Sequence, residues 1–205
     1  MPVFAAQYDF AKVSDTQISE ALVKNPHRLL PNNNFYFLIK IKEIGTRTFK
    51  PSSAKRAEYD VILSGKRLKE AYILLEASDV DTAAKNLNRY SKKLPQMILQ
   101  IEKARSQNQD VAKIIDVAAD FLGYEEVMLA SIYARWGSFS PSYDQSVEAF
   151  KNAVWAMDKM KPGVKDRFFI MGLDKEVEMQ EMASPEPSPK VLESTTSGKS
   201  APKRI

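Results

Sequence analysis

Apolar residues recur every three or four positions through the middle of this chain of 205 residues. The clearest run steps by four, three, four, three and four positions; it consists of Ala83, Leu87, Tyr90, Leu94, Met97 and Ile101. This spacing keeps one stripe of side chains on a single face of an α-helix, where a partner helix can cover it. The same spacing of apolar residues over residues 54–160 predicts four long helices.

Capping and turn residues set the bounds of these four helices. Ser53 is the expected N-cap of the first, Asp79 or Asp81 of the second, and Asp110 of the third. The fourth is expected over residues 142–161. The predicted buried stripes of the first, third and fourth helices are Ala57, Val61, Leu68, Tyr72 and Leu75; Val111, Ile115, Ala118, Leu122, Leu129, Ile132 and Trp136; and Tyr143, Val147, Phe150, Val154 and Met157.

Shorter helices are predicted on both sides of this region. Ser14 and Asp15 favour a short helix before residue 25. Residues 35–49 are apolar around most of the helix circumference, so we expect this helix to be wedged between others. Residues 164–182 predict a further helix with an acidic end.

The predicted fold class is all-α, an antiparallel bundle of five or six helices built from helical hairpins. Residues 1–34 form a lead-in, residues 35–182 the bundle, and residues 183–205 a disordered tail rich in Ser, Pro and Thr. Residues 3–7 are similar to the small-residue end of a secretory signal peptide, which favours an extracytoplasmic or secreted protein; a cytoplasmic location is the alternative. No stretch reaches the roughly 18 to 20 apolar residues that span a bilayer.

Composition removes several kinds of chemistry. The chain has no Cys and one His, which excludes disulfides, thiolate catalysis and cysteine-based zinc sites. The net charge of +4 is mild for a nucleic-acid binder, and no signature of a nucleic-acid-binding fold is present. The sequence also lacks a phosphate loop and a nucleophile elbow.

Three sets of residues are candidates for a chemical site. His27 has no second ligand and is interpreted as a loop residue. Helical carboxylates can hold a metal, but a helical di-metal site also needs Glu-x-x-His pairs, which this chain lacks; these carboxylates are Asp116, Asp120, Glu125 and Glu126. Met pairs spaced by three can bind Cu(I), although core packing is the more common role; the pairs are Met157 with Met160 and Met179 with Met182. We predict no catalytic, cofactor-binding or metal-binding residue.

A basic segment covers residues 40–69, which contain nine Lys and Arg residues and three acidic residues. Such a segment can meet an anionic surface, whether nucleic acid, lipid headgroups or a cell-wall polymer. A hydrated helix face opposite the core is the alternative interpretation.

Part of the chain resembles a known family. The order of motifs is Leu30-Pro31, Phe35-Tyr36-Phe37-Leu38-Ile39-Lys40, Glu43, Phe49, residues 54–58, residues 66–71, Asp79 and Ala83-Ala84. It is similar to an uncharacterised bacterial helical domain family of unknown function, over residues 28–107. Members typically follow a signal peptide, so the resemblance implies export and an all-helical hairpin, and it implies no catalytic residue. Asn32 to Asn34 replace the usual short turn of that family, and Gly65 replaces a helix former.

Residues 129–154 resemble one tetratricopeptide-type unit. Small and aromatic residues at i+3 and i+4 spacing carry this likeness, chiefly Ser146, Phe150 and Ala153. Stable arrays usually need at least about three such units, so one unit favours a simple hairpin.

These patterns favour a non-enzymatic, exported helical protein that acts as a structural or protein-interaction module, with a protein partner or self-assembly. A cytoplasmic tetratricopeptide-like adaptor, with a groove between the third and fourth long helices, is the alternative. A helical metal-binding protein is the third hypothesis.

Overall fold

The computed structural model describes residues 7–24, 30–31 and 33–173, and this part of the chain is all-α as predicted. Its α-helices are α1 (Asp15–Lys24), α2 (Tyr36–Thr48), α3 (Ser53–Glu76), α4 (Val80–Ser106), α5 (Val111–Trp136) and α6 (Pro141–Met160). A short 3₁₀ turn, Lys165–Arg167, follows. The predicted tail and residues 1–6 lie outside the described residues.

The core forms where α3 packs along α4, with α5 against α3 and α6 against α4. The short helix α1 lies on α5. The predicted stripe of α4 is completely buried, and the stripes of α3 and α6 are buried as well. On α5 the stripe is buried except at its ends, where Val111 and Trp136 are partly exposed. Helix α4 continues through Pro95.

Side-chain caps explain where the helices begin. The Asp79 carboxylate accepts from the Thr82 N–H at 3.2 Å, and the Asp110 carboxylate accepts in the same way at the start of α5. At α3 the cap is Ser52, one residue before the predicted Ser53. Each cap satisfies a backbone N–H group that the first helical turn leaves without a partner.

The predicted helix over residues 164–182 is wrong for its described part, residues 164–173. Backbone groups here bond to other parts of the fold: the Ile170 carbonyl accepts from the Ala11 N–H at 2.9 Å, and the Met171 N–H donates to Glu126 at 2.9 Å. Gly172 has a φ of +67°, which favours glycine and interrupts a helix. The segment still closes the core, because Phe168 and Leu173 are fully buried.

Helix α2 is also placed differently from the prediction. It lies on the outside of the bundle, and its large apolar side chains face solvent while Tyr36 and Glu43 are buried. The physical reason is that α3 presents buried charged side chains, which pair with the polar side of α2.

Candidate docking surface

A cluster of charged side chains joins α2 to α3. Its members are Glu43 and Arg47 of α2 and Asp60, Lys66, Arg67 and Glu70 of α3, and we call it the charge cluster. Asp60 and Glu70 have no exposed surface. Buried carboxylates are costly unless they are paired and hydrogen-bonded, so these acids require cations at this surface.

Arg47 and Asp60 form one end of the charge cluster. The guanidinium donates from Nε to Oδ1 at 2.7 Å and from Nη2 to Oδ2 at 2.8 Å. This two-point geometry is the strongest form of a charged hydrogen bond between side chains. The Lys93 ammonium on α4 is a looser second partner, 3.6 Å from Asp60.

Arg67 lies at the centre of the charge cluster. It donates to Glu43, to the Tyr36 hydroxyl and to Glu70, and Lys66 also donates to Glu43. The Tyr36 hydroxyl donates to Glu70 Oε2 at 2.7 Å. Burial, followed by the charge of Glu70, raises the pKa of Tyr36, so its phenol stays neutral and keeps the proton that it donates. The polar side of α2 is therefore fixed on the bundle.

The opposite side of α2 is an exposed apolar surface. Its large side chains are each at least half exposed; they are Phe35, Phe37, Leu38, Ile41, Ile44 and Phe49, with exposed fractions from 52% at Leu38 to 87% at Phe49. We call these six residues the apolar face. Single exposed apolar residues are ordinary, but six large ones on and beside one helix are more than an isolated helix of a monomer usually exposes, so this face is a candidate interaction surface.

Basic residues border the apolar face. At 3.6 residues per turn, Lys40 and Lys42 lie on its two margins, and both are exposed. The acids closest to α2 point inward into the charge cluster, so the outer surface of this helix is positive as well as apolar.

The four carboxylates considered for a metal site are held by other protein groups, and Arg167 lies within ion-pair distance of both Asp116 and Asp120. Asp116 pairs with Lys161 at 2.5 Å, and Asp120 pairs with Arg167. Glu126 is buried and accepts from the Met171 N–H. Among the described residues, no group of three or more potential ligands could hold a metal.

Glu125 is completely buried among α3, α4 and α5. Its Oε1 accepts from the Ser64 hydroxyl at 2.7 Å, and the Tyr90 phenol lies near the same carboxyl group. Burial raises the pKa of Glu125 to about 8, so the carboxyl group is neutral at pH 7.

Of the remaining candidates, the structure describes Met157 and Met160. Met157 is fully buried and Met160 packs against the core, as the packing interpretation predicts. His27, Met179 and Met182 lie outside the described residues. The adaptor hypothesis places a groove between α5 and α6. Tyr8 lies in that position, and its ring contacts Tyr133 of α5 and Tyr143 of α6.

The charge cluster was not predicted from the sequence. A signal was present, because Asp60 precedes Val61 on the buried stripe of α3 and Glu70 follows Arg67 by three positions. Acidic residues beside a predicted buried stripe indicate that basic side chains pair with them in the folded protein.

Comparison with known proteins finds no family model that matches this chain, no curated protein of similar sequence and no solved structure of similar fold. The resemblance of residues 28–107 to an uncharacterised bacterial domain family therefore stays a prediction. Within the described residues, no helix has both the length and the apolar character needed to cross a membrane.

Proposed function

We propose that this protein is a non-enzymatic helical module that docks through α2 onto the surface of an anionic lipid membrane. The observation that carries the proposal is the orientation of α2, with Glu43 and Arg47 directed toward α3 and the apolar face directed outward. The charge cluster fixes this orientation before any partner arrives.

An anionic lipid surface matches both chemical properties of α2. Phe, Leu and Ile side chains enter the boundary between headgroups and acyl chains, where an amphipathic helix lies parallel to the membrane. Lys40 and Lys42 can extend their aliphatic stems along that boundary while the ammonium groups reach the headgroup phosphates. A basic residue near an anionic membrane contributes about 1 kcal/mol.

Membrane docking takes the anionic surface that the basic segment of residues 40–69 allows as the partner, in place of the protein partner or self-assembly expected from the sequence. Export stays a separate proposal, because residues 1–6 lie outside the described residues. The adaptor alternative receives less support, since Tyr8 and Phe10 pack against Tyr133 between α5 and α6.

Co-sedimentation of the full chain with lipid vesicles tests the proposal. We expect binding to vesicles that contain phosphatidylglycerol and much weaker binding to pure phosphatidylcholine. The double variant Ile41→Asn/Ile44→Asn should weaken binding by about 3 kcal/mol, roughly a hundredfold, because it removes two apolar side chains from the lipid. The matched control Val80→Asn/Leu99→Asn changes two exposed apolar residues of α4 and should bind like wild type.

Sedimentation equilibrium without lipid tests whether a second copy of the chain, and not lipid, covers the apolar face. Self-association that Ile41→Asn/Ile44→Asn abolishes, together with no vesicle binding, would show that a second copy covers this face and would overturn the proposal. Equal vesicle binding by both double variants would also overturn it, because binding would then not involve α2.

A further inference from the structure

A basic cleft lies beside the apolar face, where α2, α3 and α4 meet. Its volume is about 360 Å³, and Lys40, Arg89, Lys92 and Lys93 line it. Arg47 and Arg67 of the charge cluster form its inner wall, and Glu43 is the one acidic residue in the lining. The cleft thus brings basic residues from three helices together along one side of α2, where Ile44 of the apolar face also lines it.

The cations of the cleft divide into those that form ion pairs and those that do not. Lys40, in the second set, lies over the Tyr36 ring with its ammonium 5.5 Å from the ring centre. Arg47 and Arg67 are held by the carboxylates of the charge cluster, and both oxygens of Glu43 are occupied by Lys66 and Arg67. Among the described residues, no carboxylate lies within ion-pair distance of Lys40, Arg89 or Lys92. Lys93 has only its loose contact with Asp60.

The charge balance of this region favours an anion. Seven basic side chains, the six that line the cleft together with Lys66, surround three carboxylates, Glu43, Asp60 and Glu70. Four positive charges are therefore in excess. Partial burial, followed by repulsion from Arg89 and Arg67, lowers the pKa of Lys40, and a bound anion would reverse this effect.

The fold also orients one of the unpaired cations. Arg89 Nη1 donates to Asn86 Oδ1 at 3.0 Å, and Asn86 has no exposed surface. The guanidinium is thus held by a buried side chain and retains other N–H donors. Such a planar donor set matches phosphate oxygens, and a flexible ammonium adds a point charge.

We infer that this cleft binds a phosphate group through Lys40, Arg89 and Lys92. A lipid headgroup and a free phosphate compound present the same chemistry to these side chains. In its lipid form the inference rests on the proposed function, since the cleft would take a headgroup while the apolar face enters the acyl region. If the ligand is a free phosphate compound, the inference does not depend on the proposed function.

Titration of the full chain with inorganic phosphate, at constant ionic strength maintained with chloride, tests the site by calorimetry and by amide chemical shifts. We expect saturable binding with shifts at the cleft, and at least about tenfold weaker affinity in Arg89→Gln/Lys92→Gln. The matched control Lys103→Gln/Arg105→Gln removes the same charge from exposed positions on α4 and should bind phosphate like wild type. No saturable binding by the wild type, or an equal loss in both variants, would overturn the inference.

Phosphatidylglycerol vesicles distinguish the two sources of phosphate. If the headgroup is the ligand, Arg89→Gln/Lys92→Gln weakens vesicle binding more than its control, while Ile41→Asn, at a residue outside the lining of the cleft, retains binding of free phosphate. Phosphate binding without vesicle binding by the wild type would support the site with a free compound as ligand and would contradict the proposed function. Vesicle binding without phosphate binding would support the proposed function and overturn this site.

Discussion

Arg47 of α2 and Asp60 of α3 form a two-point ion pair whose carboxylate is completely buried. This relationship decides which side of α2 faces the bundle. Turning the helix to bury Ile41 and Ile44 would leave Asp60 with only its loose contact to Lys93. It would also break the hydrogen bonds that Glu43 and Tyr36 make with Arg67, so several buried charges would lose partners at once. The exposed apolar face is thus a consequence of the charges beneath it.

Arg47→Met should reduce the free energy of unfolding by about 2 kcal/mol. Breaking a fully buried pair costs about 3–5 kcal/mol, but the Arg47 side chain is partly exposed and Lys93 remains near Asp60. Urea denaturation measures the change. Lys55→Met, which breaks the more exposed pair with Glu58, should cost less than about 0.5 kcal/mol, and similar losses in the two variants would contradict the assigned role of Asp60.

Tyr36→Phe should destabilise the protein by about 1–2 kcal/mol, because Glu70 and Arg67 each lose a hydrogen-bond partner in a buried position. Tyr124→Phe is a matched control, because Tyr124 is partly exposed and the Phe ring retains its contact with the Lys24 ammonium. Thermal unfolding of both variants provides the measurement. Equal stability of Tyr36→Phe and wild type would show that the phenol does not support the charge cluster.

Glu125 should make stability fall as the pH rises. Its pKa is raised from 4.5 to about 8 by burial, so between these values the folded state holds a proton that the unfolded state has released. The contribution is fully present below about pH 4.5, is lost as the pH rises toward 8, and then stays constant. Glu125→Gln should remove this dependence and be more stable than wild type at pH 8 by on the order of 3 kcal/mol.

Denaturation across pH 5 to 8 checks this prediction. Asp120→Asn, an exposed change on the same helix, should keep the slope of the wild type. An unchanged slope in Glu125→Gln would mean that another group takes up the proton.

Tyr8→Ala should cost about 2 kcal/mol. The Tyr8 ring stacks on Phe10 and contacts Tyr133 and Tyr143, and its hydroxyl donates to Asp144 at 3.1 Å. Loss of this packing should loosen the N-terminal segment, which limited proteolysis would detect together with the loss of stability. Phe169→Ala, at a residue that is 61% exposed, should stay within about 0.5 kcal/mol of wild type.

The long helices could be predicted because their periodicity is local. The stripe from Ala83 to Ile101 needs only the spacing of apolar residues, and Asp79 and Asp110 mark helix starts by their own side chains. The placement of α2 could not be predicted in the same way. Its sequence offers a polar side and an apolar side, and the choice depends on Asp60 and Glu70, which belong to another helix.

The segment after α6 shows the same limit. Phe168, Met171 and Leu173 are buried, but the helix predicted over residues 164–182 is absent from the described part of that segment. Its backbone bonds to Ala11 and Glu126, partners that are distant in sequence. The candidate site depends on such distant pairings, whereas the fold class depends on local spacing.

The depth of a nitroxide label on α2 tests most directly whether the apolar face enters the membrane. The chain has no Cys, so Ile41→Cys gives a single thiol for a nitroxide, with Leu99→Cys on α4 as the control. On addition of phosphatidylglycerol vesicles, we predict that the label at position 41 becomes accessible to oxygen and protected from a water-soluble nickel chelate, while the label at position 99 stays in water. A label at position 41 that remains fully accessible to the chelate while the protein is vesicle-bound would contradict the account.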